Sequence, residues 1–198
     1  MMSLEDFTSQ KIKILSGLDN SRKGSYDARI EGLVQFINDI QEYVTTSSCS
    51  GRLIMFCPNE GQGNVKKGCK WLYTSHDFVK YEALVSHLKP EDGDIVLKFE
   101  PLILHIRCYN MESAKAMLTS SLESGFKNSG FVIGKNGSLV LAVRSCLGLE
   151  VPLTKDGVQL VSEEYIKFLA EVANEKLAEN FKRMDNFFAL LKARFGSP

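Results

Sequence analysis

Apolar positions change their period several times along the chain, and each change marks an element. Ile30, Leu33, Val34, Ile37 and Ile40 recur at helical spacing, with Ser25 and Asp27 placed to begin that helix. Strand-like runs rich in β-branched, aromatic and aliphatic residues follow: "RLIMFC", "CKWLYTSH", "DIVLKFE", "LILHIRCY", "GFVIGK", "LVLAVRS" and "LEVPL". Shorter helices interrupt them. Asp77 suits the cap of one that runs to Lys89, ahead of Pro90, and Asn110 the cap of another that passes Ala114 and Leu118 and stops at Gly125. From Ser162 to about Phe195 one stripe, Ile166, Leu169, Ala173, Leu177, Met184, Phe187 and Leu191, predicts a single long helix with Glu163 and Glu164 at its N-terminus. No Pro-rich or Ser-rich linker divides the chain. The pattern therefore predicts one α+β domain over residues 1–198, a mixed β-sheet with helices packed on one face, and a long C-terminal helix. "SCSGRLIMF" and "KNSGFVIG" both run Ser-Gly into a strand, which suits either an internal duplication or coincidence.

Alternation along the strands sorts polar residues from apolar ones. Leu104, Ile106 and Cys108 share one face of their strand and His105 and Arg107 the other; Ile95, Leu97 and Phe99 oppose Lys98 and Glu100; Arg144 opposes Leu141 and Val143. One greasy sheet face and one carrying Lys98, Glu100, His105, Arg107 and Arg144 result. Such a face is either simply solvated or suited to an anionic ligand. Ahead of "LIMF" stands "TTSSCSGR", Thr45 to Arg52, where small hydroxyl residues and Gly51 read as a loop able to approach a ligand closely.

Composition removes several classes of function. Lys and Arg number 24 and Asp and Glu 24, so a nucleic-acid partner must be met by local basic groups such as Arg22, Lys23 and Arg29, or Lys66, Lys67, Lys70 and Lys80. Cysteines at 49, 57, 69, 108 and 146 form no C-x-x-C pair and the histidines, 76, 87 and 105, no H-x-x-x-H, which argues against a metal site. The polar, acidic start and the lack of any apolar run of about 18 residues predict a cytoplasmic protein with no membrane partner. Gly61-Gln62-Gly63 leads into a loop and strand where a dinucleotide site needs a helix, so a Rossmann methyltransferase or dehydrogenase is excluded.

Seven segments, "RKGSYD", "TTSSCSGR", "CKWLYTSH", "LKFEPLILHIRC", "GFKNSG", "AVRSCLGLEVPL" and "EEYIKFLAEVANEKLAEN", closely resemble, in order, the tRNA wybutosine-synthesizing protein 3 family. Tyr26 departs from the aliphatic residue expected in the first of them. The resemblance implies an S-adenosylmethionine-dependent methyltransferase that acts on N4 of the tricyclic wybutosine precursor beside the anticodon of phenylalanine tRNA. A monomer is expected. Two other classes stay open: a non-catalytic tRNA-binding subunit, and an enzyme on a free small metabolite. Alkylating a ring nitrogen releases a proton, so a base is useful, and His76, Glu100 and His105 are the titratable groups within family-like segments. Lys23, Ser25, Asp27, Ser47, Ser48, Cys49, Ser50, Gly51, Arg52, Trp71, Arg107, Asn128, Ser129, Gly130, Arg144 and Ser145 are the candidates for binding cofactor or substrate.

Overall fold

A computed structural model describes residues 3–17, 27–58, 69–134 and 136–196. In chain order the elements are α1 (Leu4–Leu15), α2 (Ala28–Asp39), β1 (Tyr43–Cys57), β2 (Lys70–Ser75), α3 (Tyr81–His87), β3 (Val96–Cys108), α4 (Met111–Glu123), β4 (Gly130–Ile133), β5 (Leu139–Arg144), β6 (Leu149–Pro152), β7 (Thr154–Lys155), β8 (Val158–Gln159) and α5 (Glu163–Phe195). One sheet has the order β2-β1-β3-β5-β4, with β6 also paired to β3, and β7 and β8 form a separate hairpin. The pairs β1–β2, β3–β5, β3–β6 and β4–β5 are antiparallel. Between β1 and β3, Thr46 meets His105 and Arg52 meets Glu100, so these strands also run in opposite directions. This α+β architecture lacks the parallel crossovers of a Rossmann fold among its described residues, as the failed G-x-G reading requires. β1 lies inside the sheet and β4 at its edge, so the two Ser-Gly stretches hold unequal places in it.

The chain divides into two compact units, Met1–Ser50 with Leu102–Cys146 and Phe181–Pro198, and Gly51–Pro101 with Leu147–Asn180. In the first, Leu104, Ile106 and Cys108 of β3 and Leu139, Leu141 and Val143 of β5 form the buried sheet face. Ile30, Leu33, Val34 and Ile37 of α2, Ala114 and Met117 of α4, and Met184, Phe187 and Leu191 of α5 close over it. These are the stripes the periodicity predicts. α4 begins with a capping box: Asn110 accepts from the Ser113 backbone N–H while the Ser113 hydroxyl accepts from that of Asn110. It stops at Gly125, whose φ of 98° suits a residue without Cβ. α1 touches the opposite sheet face, where Phe7 packs edge-on to Tyr109 and Gln10 accepts from Arg107.

In the second unit, Leu53, Met55, Leu84, Leu97, Phe99, Ile166, Leu169, Ala173 and Leu177 are buried. The Asn174 side chain of α5 receives the Val79 N–H at 2.9 Å and returns a bond to the Val79 carbonyl at 2.9 Å. That amide satisfies both backbone groups of a segment that belongs to no ladder.

β3 does not keep one alternation throughout. Leu97 and Phe99 are buried and Lys98 and Glu100 are not, whereas from Leu102 onward the even-numbered residues are the buried ones. The phase changes at Glu100–Pro101, between the residues paired to β6 and those paired to β5. Proline has no N–H to give a ladder, and this is a place where the ladder partner changes.

Candidate functional site

Thr45 to Arg52 is part of a strand, not the loop expected from its Ser and Gly content. Two long-range anchors override the local turn preference. Asn38, at the end of α2, accepts the Thr45 N–H at 2.8 Å, and the Asp27 carboxylate accepts both the N–H and the hydroxyl of Ser50, at 3.1 and 2.9 Å. Asp27 sits at the N-cap position of α2 without making a side-chain cap bond, so its oxygen serves β1 instead of the helix. Gly51 then turns the strand with a φ of 102°.

Four adjacent strands of the first unit place their small and polar residues in one row. Ser47 Oγ lies 2.7 Å from His105 Nδ1, His105 is opposite Ala142, and Ala142 is opposite Gly130. Arg144 stands two residues along β5 on the same face and its charge acts on the imidazole. Partial burial, and then Arg144, push the His105 pKa below the ordinary 6.5, because both disfavour a cation there. Ser129 pins the backbone of Arg144: its hydroxyl accepts the Arg144 N–H at 3.0 Å. The loop bearing Asn128 and Ser129 is rooted by Phe126, which is fully buried against Phe187 at 5.9 Å between ring centroids.

The open end of this row has room for a ligand. A Cβ added to Gly130 would meet no atom within 4 Å, and Ser47 and Arg144 are exposed. An exposed guanidinium beside a neutral-leaning imidazole and small side chains fits a molecule with a carboxylate at one end and a flat apolar part. Arg107, predicted for the same role, is committed elsewhere: it donates to Gln10 of α1, and its Nε is buried without a hydrogen-bond partner.

Candidates in the second unit form a different arrangement. Arg52 donates through Nε and Nη2 to Glu100, each at 2.9 Å, and its guanidinium lies 5.0 Å from the centre of the Trp71 ring. His76 Nδ1 is 3.0 Å from the Gly51 carbonyl. Lys98, register partner of Glu150, pairs with it at 2.7 Å. Ser145 accepts from Arg183 in the first unit, and Ser48 and Cys49 lie half-buried in β1. Lys23 and Ser25 fall outside the described residues, as do Arg22, Lys66, Lys67 and the G-x-G at 61–63.

The Arg52 arrangement supports a stability prediction. Arg52→Ala leaves Glu100 without its cation and Trp71 without its covering group, and is expected to lower the unfolding free energy by about 1–2 kcal/mol. Denaturant titration reads this. An unchanged midpoint together with weakened tRNA binding would instead assign the guanidinium to a ligand.

A family model described as Methyltransferase TYW3 matches residues 9–193. A tRNA wybutosine-synthesizing protein 3 homolog of Xenopus laevis is 42% identical over 192 residues, covering 96% of this chain and 76% of that protein. Its Homo sapiens counterpart is 43% identical over 188 residues, covering 94% of this chain and 73% of that one. The structure of PH1069 protein from Pyrococcus horikoshii matches with a TM-score of 0.84 at 29% identity, covering 94% of this chain and 96% of that one.

Proposed function

Because the chain belongs to the Methyltransferase TYW3 family, we propose that it transfers a methyl group from S-adenosylmethionine to the N4 ring nitrogen of the wybutosine precursor in phenylalanine tRNA, acting as a monomer in the cytoplasm. The observation that carries this reading is the His105 row of the first unit: a half-exposed imidazole held by Ser47, shifted toward its neutral form, with Arg144 beside it and open space over Gly130.

In this reading each residue has a separate task. With Nδ1–H donating to Ser47 Oγ, the His105 ring presents an unprotonated Nε2 to the site. That nitrogen accepts the proton that N4 loses as its new carbon bond forms, so no charge is left on the base ring system. Arg144 binds a carboxylate, which both the amino-acid end of the cofactor and the aminocarboxypropyl arm of the substrate possess. Bound S-adenosylmethionine would supply an electrophilic methyl on sulfur. Positioning is the larger part of the catalysis, because a sulfonium methyl needs only to be held in line with the nitrogen. Gly130, Ala142 and Ser47 let the reacting groups approach the sheet closely, and Asn128 and Ser129 border the same row. Cys49 needs no covalent part in such a direct transfer.

Methyl-labelled S-adenosylmethionine, the purified chain and tRNA from cells halted before this methylation provide the test. Label should enter phenylalanine tRNA and no other tRNA, and the modified nucleoside should gain the mass of one methyl group. Stoichiometric cofactor binding without transfer to any tRNA would overturn the reading.

A further inference from the structure

Arg183 of α5 is absent from every candidate set that the sequence suggests, yet it reaches the two chain segments that carry the predicted anion site. Its Nη1 donates to the Gly125 carbonyl at 3.1 Å and to Ser145 Oγ at 3.2 Å. Gly125 begins the stretch that leads through Phe126 to Ser129, and Ser145 directly follows Arg144. Ser129 in turn holds the Arg144 N–H. One guanidinium therefore ties the start of the 125–130 loop to the end of β5, while Ser129 ties the loop to β5 a second time.

The close approach depends on glycine. A Cβ at Gly125 would stand 3.2 Å from Arg183 Cδ and 3.3 Å from both Cγ and Nε, tighter than an ordinary contact. The φ of 98° at the same residue also disfavours any side chain. Gly125 thus does two things at once, stopping α4 and letting the stem of Arg183 lie against the backbone so that its head reaches both acceptors. Both bonds leave the same Nη1, whose two N–H groups are fixed in the guanidinium plane, whereas a lysine ammonium ends a differently shaped stem and has no such fixed plane.

From this geometry we infer that Arg183 is a positioning residue for methyl transfer: it sets the place of Arg144, through Ser145 and the 125–130 loop, and so sets how tightly the carboxylate of the bound ligand is held. The inference rests on the proposed role of Arg144. Arg183 itself touches no reacting atom and acts only through the neighbouring cation.

A double-mutant cycle on the full chain tests it, using Arg144→Met, Arg183→Met and the pair, with KM and kcat measured for labelled S-adenosylmethionine and precursor phenylalanine tRNA. KM is the useful readout because it does not depend on the fraction of enzyme that is folded. Arg183→Met should raise KM for the carboxylate-bearing ligand about tenfold with kcat nearly unchanged, and the pair should be no worse than Arg144→Met alone. Arg183→Lys, which keeps a charged donor without the planar guanidinium, should recover part of the loss. Should Arg144→Met raise KM while Arg183→Met does not, or should the two effects multiply, the positioning role is overturned and the reading of the site stands. A KM unchanged by Arg144→Met would overturn the reading of the site and this inference together.

Discussion

His105→Ala is expected to lower kcat by about 10²–10⁴-fold, the range that a positioned general base contributes, while leaving the melting temperature near that of the native chain. The ring is half-exposed and outside the apolar cluster, so its removal opens no core cavity. Its environment also fixes the pH dependence. Burial and Arg144 depress the pKa, so the imidazole is already neutral at pH 7 and gains a proton only below 6.5. Activity should be flat through neutral pH and fall on acidification, with a midpoint below 6.5. Arg144→Met removes the cation that opposes protonation and should shift that midpoint upward. Ser47→Ala frees Nδ1 and should reduce kcat less than loss of the ring does. Retention of activity within a few-fold in His105→Ala would assign the proton to another acceptor. The same shift bears on stability: the unfolded chain binds the proton more readily than the folded one, so stability is lost as pH falls below 6.5.

Phe126→Ala should produce the largest loss of stability, about 3–5 kcal/mol from a vacated aromatic site. Phe126 is fully buried, meets Phe187 edge-on, and sits in the cluster formed by α2, α4, β3, β5 and the end of α5. For a chain of this size such a loss corresponds to a fall in melting temperature of about 10 °C or more. The neighbouring loop carries Ser129, which holds Arg144, so ligand affinity should fall together with stability. Phe126→Leu fills most of the space and should restore most of both. Calorimetry of the three chains checks this, and a loss under 1 kcal/mol for Phe126→Ala would show that the cluster closes over the gap.

Much of this arrangement is legible in the hydrophobic pattern. The stripe from Ile166 to Leu191 is buried at every named position, and Asn110 caps α4 as its residue type suggests. Strand alternation separates Leu104 and Ile106 from His105 and Arg107 correctly. What the pattern leaves out depends on distant partners. Thr45 to Arg52 forms a strand because Asn38, Asp27 and β3 supply bonds that local turn propensity cannot reveal. Arg183 occupies an ordinary helix position, and only its meeting with Gly125 and Ser145 distinguishes it. Two elements carried signals that apolar periodicity does not weigh. Ser3 caps α1 by accepting from Asp6, a spacing visible in the sequence. Asp156-Gly157, both with positive φ, turns the chain between β7 and β8 as an Asp-Gly pair commonly does.

The change of phase in β3 makes that strand sensitive to length as well as to composition. A substitution at Pro101 alters one side chain, but deletion of Pro101 would alter the facing of every residue on one side of it. With the residues before Glu100 held in register, loss of one position would turn Leu104, Ile106 and Cys108 toward solvent and His105 and Arg107 toward the apolar cluster. Insertions and deletions between Glu100 and Leu102 should therefore abolish folding even where a substitution at Pro101 is tolerated, and chains that keep this fold should hold the spacing between Phe99 and His105 constant.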